Sequence, residues 1–272
     1  MKILVTVKRI PDPDESLKFA DGGLDLSSAK WVANAFDEYA VETALRLAEQ
    51  AGGKERLAEV VVLSICPAGS RQHVTQFLAM GAERGIVVDA DDSQLDTVAI
   101  SKLIAAVVEK EQPDLVITGK LSQDNEGNQV GQRVAALTNR PQACFAATVN
   151  WPKGENHVIV EREVDDGVET KKVPFPAVLT VDLRVVLPKS VKNGVTADDY
   201  AYNEGPRLAS LRGITMAKRK TVDTFTPADL GVENKGTEKT AAVNKPPERA
   251  AGQMVSSVDE LVEKLATEAK VL

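Results

Sequence analysis

"VITGKLSQDNEGNQVGQRVAAL", residues 116–137, decides how the chain reads. It opens as an apolar, partly β-branched run, breaks into a polar loop bounded by Gly119 and Gly127, and resumes with apolar residues at helical spacing. Strand, loop and helix in that order form the repeating unit of parallel α/β sheets. Ligands of such sheets sit beyond the carboxyl ends of the strands, where loops and helix N-termini converge. Gly119 and Gly127 permit close backbone approach or positive φ, and the unpaired N–H groups from Asn128 to Gly131 offer partial positive charge, so a phosphate is the natural guest. An ordinary strand-to-helix connection, with Asp124 or Asn128 simply capping the helix, explains the same residues. Neither G-x-G-x-x-G nor G-x-x-x-x-G-K-[ST] occurs in the chain, so the residues alone leave both readings open.

Upstream, "KILVTV" (2–7), "EVVVLSI" (59–65), "GIVV" (85–88) and "DLVIT" (114–118) read as strands apolar on both faces. "DEYAVETALRLAEQAG", "SRQHVTQFLAMGA" and "LDTVAISKLIAAVVEKEQ" lie between them with helical periodicity; Asn34 or Asp37 can cap the first, and Gly52 and Gly53 stop it. This alternation predicts an α/β fold: a doubly wound, mostly parallel sheet with helices on both faces. Downstream, "ACFAATVNW", "HVIVEREV", "ETKKV" and "AVLTVDL" are period-2 runs separated by turn residues, which predicts an antiparallel hairpin added to the sheet. From about 184 to 250 apolar periodicity is sparse, so the segment reads as disordered or as laid across a partner. "SSVDELVEKLATEA" then forms an amphipathic helix behind a serine cap. The expected organisation is an α/β nucleotide-binding domain with its hairpin over 1–183, an insertion and recognition loop over 184–220, and a C-terminal arm and helix over 221–272.

The 272 residues carry 33 basic and 40 acidic side chains, a net charge of −7, which disfavours broad binding to nucleic acid or anionic membrane surfaces. Two cysteines without a C-x-x-C and two histidines without ligand spacing give no metal or disulfide framework. "MKILVTVKR" runs straight into a strand without a signal core, and no apolar run approaches a membrane span, so a cytoplasmic location is expected.

Nine motifs in order, "VKRIPD", "NAFDEYAVETALRL", "FLAMGAERG", "PDLVITGK", "DNEGNQVGQ", "EREVDDGVET", "FPAVLTVDLR", "NEGPRLASLRGITMAKRK" and "PADLGV", give the chain a nearly end-to-end resemblance to the β subunits of electron transfer flavoproteins. That resemblance implies an adenine nucleotide hydrolase-like fold and a heterodimer whose larger α subunit holds most of the FAD. The β subunit would bind AMP, help cover the flavin and act as an electron carrier without catalytic residues of its own. Dehydrogenases such as acyl-CoA dehydrogenases would donate, and an electron transfer flavoprotein-quinone oxidoreductase or similar acceptor would receive. The AMP site implied comprises Thr6, Asn34, Ala35, Asp37, Ile65, Cys66, Gly119, Asp124, Gly127, Asn128, Gln129, Val130 and Gly131. Val130 replaces a hydroxyl residue common in the family, which leaves backbone donors to hold the phosphate. Bifurcating members bind a second FAD there and use NADH; Asn125, Glu126 and Asn128 resemble the AMP type more closely. A stand-alone AMP- or ATP-binding α/β protein is the alternative from another class.

By the same resemblance Phe36 contacts FAD, against a plain reading as a helix-start staple. Leu211 would anchor partner dehydrogenases, against a reading in which Leu208, Leu211 and Ile214 form the inward stripe of a short helix; Lys218, Arg219 and Lys220 would attract an acidic partner surface. "VVLPKSVKNGVTADDYAY" (185–202) has no counterpart in the family pattern and reads either as added docking surface or as a tolerated surface insertion. Lys171 suggests an exposed strand edge.

Overall fold

The computed structural model describes residues 1–272 except 17, 21, 22, 54, 234, 235, 239, 246 and 248–250. In chain order the strands are β1 (Lys2–Thr6), β2 (Arg9–Pro11), β3 (Lys18–Ala20), β4 (Gly23–Asp25), β5 (Trp31–Ala33), β6 (Glu59–Cys66), β7 (Arg84–Asp89), β8 (Leu115–Gly119), β9 (Gln142–Asn150), β10 (His157–Val164), β11 (Gly167–Pro174), β12 (Ala177–Val181), β13 (Val191–Lys192) and β14 (Val222–Phe225). The helices are α1 (Ala35–Ala48), α2 (Gln72–Met80), α3 (Thr97–Glu111), α4 (Val130–Leu137), α5 (Leu211–Ala217) and α6 (Val258–Thr267).

One sheet runs β11-β10-β9-β12-β8-β1-β6-β7-β14, with β13 beside β9. Every pairing from β9 through β12, β8, β1, β6 and β7 to β14 is parallel, and the β9–β10–β11 meander is antiparallel. Because successive strand side chains point to opposite faces, the apolar runs feed two cores. Ile3, Val5, Val60 and Val62 pack beneath α1 and α2, whereas Leu4, Val61 and Leu63 pack beneath α3 and α4. Each fully buried aliphatic side chain contributes about 1.5–3 kcal/mol, so the two-sided burial of the central strands holds the doubly wound sheet together. Chain order reverses between β1 and β8, and there a crevice opens at their carboxyl ends.

Three differences from the sequence reading have physical causes. Helix α1 ends at Ala48, before Gly52 and Gly53, because Glu49 adopts extended backbone and bridges to Arg56. The 184–250 region contains β13, α5 and β14; in particular "VDTF" (222–225) extends the sheet beside β7, an edge too short and too polar to show as a period. Residues 185–202 are not a surface insertion. Val185, Val186 and Val191 are buried, and the buried Asn193 donates to the carbonyls of Arg46, Leu47 and Glu49, closing the C-terminus of α1. Among the described residues no helix is long and apolar enough to cross a membrane.

Candidate functional site

The crevice between β1 and β8 is a cleft of about 570 Å³, within the size range of small-molecule sites. Its floor comes from strand ends, Thr6 to Lys8, Ile65, and Thr118 to Ser122. One wall is the start of α3 with the 92–97 turn, and the other is the 125–129 loop running into α4. A larger hollow of about 850 Å³ between α3, Leu137, residues 231–233 and residues 236–237 is more open to solvent and touches neither strand ends nor a helix N-terminus. Strand order and helix placement both favour the crevice as the candidate site.

Of the residues singled out by sequence, Thr6, Asn34, Asp37, Ile65, Gly119, Gly127, Asn128, Gln129, Val130 and Gly131 meet around this cleft. Three do not line it. Cys66 ends β6 on the opposite side from Ile65 and is wholly enclosed in the core, where burial pushes its thiol pKa up. Asp124 turns away to accept from the Lys8 ammonium at 2.6 and 2.8 Å. Ala35 takes part through its backbone, donating its N–H to Gln123 Oε1 at 3.1 Å, so the loop caps α1.

Neither Asp124 nor Asn128 caps α4. Gln129 stands at the cap position with no side-chain bond to a backbone N–H of the helix, its amide oxygen accepting instead from the Arg133 guanidinium at 2.8 Å. The first-turn N–H groups of α4 therefore have no side-chain acceptor and keep their partial positive charge. Positive φ falls on Glu126 (51°) and Asn128 (46°) rather than on Gly127. Gly119 and Gly131 are needed for close packing. A Cβ on Gly119 would lie 2.6 Å from Asp37 Oδ1, and one on Gly131 would lie 2.4 Å from Thr180 Cγ2. The absent side chain lets α4 sit directly on β8 and β12.

Asn34 and Asp37 support the loop from beneath. Asn34 Nδ2 donates to Leu121 O at 2.9 Å, and Gln123 N donates to Asn34 Oδ1 at 3.1 Å. The buried Asp37 accepts from Lys8 N at 2.7 Å; burial raises its pKa to about 7 against the opposing hydrogen bonds of Lys8, Asn34 and Gly119. Phe36 is half-buried and does not line the cleft; Lys120, which does, lies 5.4 Å from its ring centre and donates to Asp182 at 2.5 Å.

Sequence reasoning missed the far wall. Asp96 caps α3 by accepting from Ala99 N and also accepts from Thr237 and Glu238 of the C-terminal arm; these hydrogen bonds, Ala99's foremost, hold its carboxyl far below the usual range. Glu238 and Thr240 thereby join the cleft lining. Thr97 also lines the cleft, and its Oγ1 is buried without a partner among the described residues. "LDTVAI" does carry an Asp-x-x cap signal, but nothing local reports an arm arriving from 141 residues away. An uncapped α4, an unpaired hydroxyl on the facing wall and a helix seated by Gly131 fit a phosphorylated nucleotide.

In the 203–220 segment, Leu208 and Leu211 are 94% and 86% exposed and Ile214 is exposed too, so these side chains do not form an inward stripe; Ala217 is the buried residue of α5. Lys218 and Arg219 are exposed. Lys220 is not available to a partner: its ammonium donates to Leu78 O at 2.9 Å and Ala82 O at 2.6 Å, closing the end of α2.

The sequence profile of the Electron transfer flavoprotein domain matches residues 22–230. Among curated proteins, the chain is 42% identical to the electron transfer flavoprotein subunit beta of Bradyrhizobium diazoefficiens over the full length of both. It is 39% identical to the mitochondrial subunit beta of Arabidopsis thaliana, again over both full lengths. The human subunit beta is 36% identical, over 97% of this chain and 96% of the human protein.

Proposed function

Because this chain belongs to the electron transfer flavoprotein family as a β subunit, and so serves electron transfer, we propose that its cleft binds AMP while it pairs with an α subunit and helps cover that subunit's FAD. The observation that carries the AMP assignment is the uncapped N-terminus of α4 at the β1/β8 crossover, opening on a cleft of mononucleotide size. The phosphate would accept from the amides of Val130 and Gly131, with Asn128 beside them. Bound FAD supplies the redox chemistry, and the protein's part is placement, shielding and partner choice. The half-buried Phe36 is the residue of this chain assigned to the flavin.

Electrons would enter from dehydrogenases such as acyl-CoA dehydrogenases, docked on Leu211 with Lys218 and Arg219 steering, and leave to an electron transfer flavoprotein-quinone oxidoreductase or similar acceptor. Burying Leu211 in a partner pocket is worth about 1.5–3 kcal/mol, so Leu211→Ala should raise the apparent KM for the dehydrogenase without altering flavin content. We place the complex in the cytoplasm, which cell fractionation would check. The α–β heterodimer, denatured and assayed for released nucleotides, should yield one FAD and one AMP. Two FAD and no AMP would overturn the AMP assignment in favour of a bifurcating subunit. ATP hydrolysis by a stable β monomer would overturn the flavoprotein reading of the site altogether.

A further inference from the structure

We propose that Arg207 is a positioning residue for partner docking: it clamps the upstream foot of the exposed 208–216 segment onto α1 and so fixes where Leu211 stands. This rests on the docking reading given above. Arg207 Nε donates to Glu42 Oε2 at 2.7 Å and its Nη2 to Glu49 Oε1 at 2.6 Å, while its own backbone N–H donates to Glu42 Oε2 at 3.2 Å. Glu42 is 2% exposed and is shared with Arg46, 1% exposed, through a 2.7 Å contact. The remaining nitrogens of Arg46 donate to the carbonyls of Leu187, Asn203 and Gly205, so the chain is held on the approach to Arg207 as well as at it.

The downstream foot is held differently. Lys220 binds the last carbonyls of α2, and Gly213 packs so closely that a Cβ there would lie 2.3 Å from Ala79 O. Between two fixed feet stand Leu208 and Leu211, almost wholly exposed. An apolar anchor on a free loop would lose backbone and side-chain freedom on docking, a loss of about 0.5–1.5 kcal/mol for each immobilised side chain alone. Here the chain on both sides of the anchor is already held before any partner arrives. A buried carboxylate–guanidinium pair is a weak device for stability, and register is its best-attested use; the buried Glu42–Arg46 pair, with the half-buried Arg207 added to it, sets in this chain the register of Leu211 against α1.

The test uses the α–β heterodimer and an acyl-CoA dehydrogenase with its acyl-CoA substrate, following flavin reduction as the dehydrogenase concentration is varied. Arg207→Lys keeps the charge but loses the forked geometry. Glu49→Gln with Arg207→Gln removes the outer pair and leaves Glu42 with its Arg46 partner, should the single change fold poorly. Either variant should raise the KM for the dehydrogenase about five- to twenty-fold with kcat within about two-fold and FAD content unchanged. In a Leu211→Ala background the same change should add less than about two-fold, because there is no anchor left to misplace. Positioning is overturned if the Arg207 variants leave KM unaltered while Leu211→Ala raises it, if they raise it equally with and without Leu211, or if KM moves only where FAD is also lost. An unchanged KM in Leu211→Ala itself overturns the docking reading first, and positioning with it.

Discussion

Gly131→Ala provides the sharpest probe of the cleft. The added Cβ would sit 2.4 Å from Thr180 Cγ2, where ordinary contact begins at 3.4 Å, so the start of α4 must lift by about 1 Å or Thr180 must be displaced. Overpacking of this kind costs about 1–3 kcal/mol, and for a domain of this size that lowers the melting temperature by roughly 2–10 °C. On the AMP reading proposed above, lifting α4 also withdraws its first-turn amides from the phosphate. Losing one hydrogen bond to a charged acceptor weakens binding by about 1.5–3 kcal/mol, or ten- to a hundred-fold. Thermal unfolding and the AMP recovered from denatured heterodimer measure the two effects. Thr180→Ser removes the offending methyl while keeping the hydroxyl that accepts from Phe145 N at 3.0 Å, so the double variant should recover most of both losses. A Gly131→Ala heterodimer with unchanged melting temperature and full AMP would refute the reasoning.

Asp37 has its folded pKa raised to about 7 from 3.8, so the folded state holds a proton that the unfolded chain releases earlier; stability from this group is greatest below pH 4 and declines as pH rises to about 7. Asp37→Asn should remove that decline, at most about 4 kcal/mol, and denaturant titrations at pH 4.5 and 8 giving the same slope as the wild type would sink the idea. Lys220→Met should destabilise the fold by about 1–3 kcal/mol by leaving the α2 carbonyls without their donor, with no change in the salt dependence of flavin reduction. Lys218→Gln with Arg219→Gln should do the reverse, flattening the salt dependence while leaving stability within about 0.5 kcal/mol; stopped-flow reduction at several ionic strengths separates this double variant from Lys220→Met.

The central architecture was legible because its strands are buried on both faces, and a run such as "EVVVLSI" has few other ways to fold. The half of the cleft built by β8 and α4 was legible for a related reason: strand, polar loop and helix are contiguous, so the polar residues and the topology lie in one stretch. What escaped depends on segments far apart in the chain. Glu42 and Arg46 look like an ordinary surface pair four residues apart on a helix, and only residues 187 and 203–207 folding over them make the pair buried. Asn34 carries a valid cap signal yet spends its amide on the loop at 121–123, because in tertiary contact the loop supplies Gln123 as the cap instead. Val185, Val186 and Val191 give no period because they straddle a single helical turn and a two-residue strand. Lys220 reads as part of a basic run until the end of α2 is beside it.

The central position of β12 bears on biosynthesis. Leu115 of β8 pairs with Ala177 of β12, 62 positions later. At about 5–20 residues per second, a ribosome needs roughly 3–12 s to deliver the partner. Throughout that interval an apolar, hydrogen-bond-hungry flank of nascent polypeptide waits uncovered, so during translation this chain is an obvious client for chaperones that shield unfinished sheets.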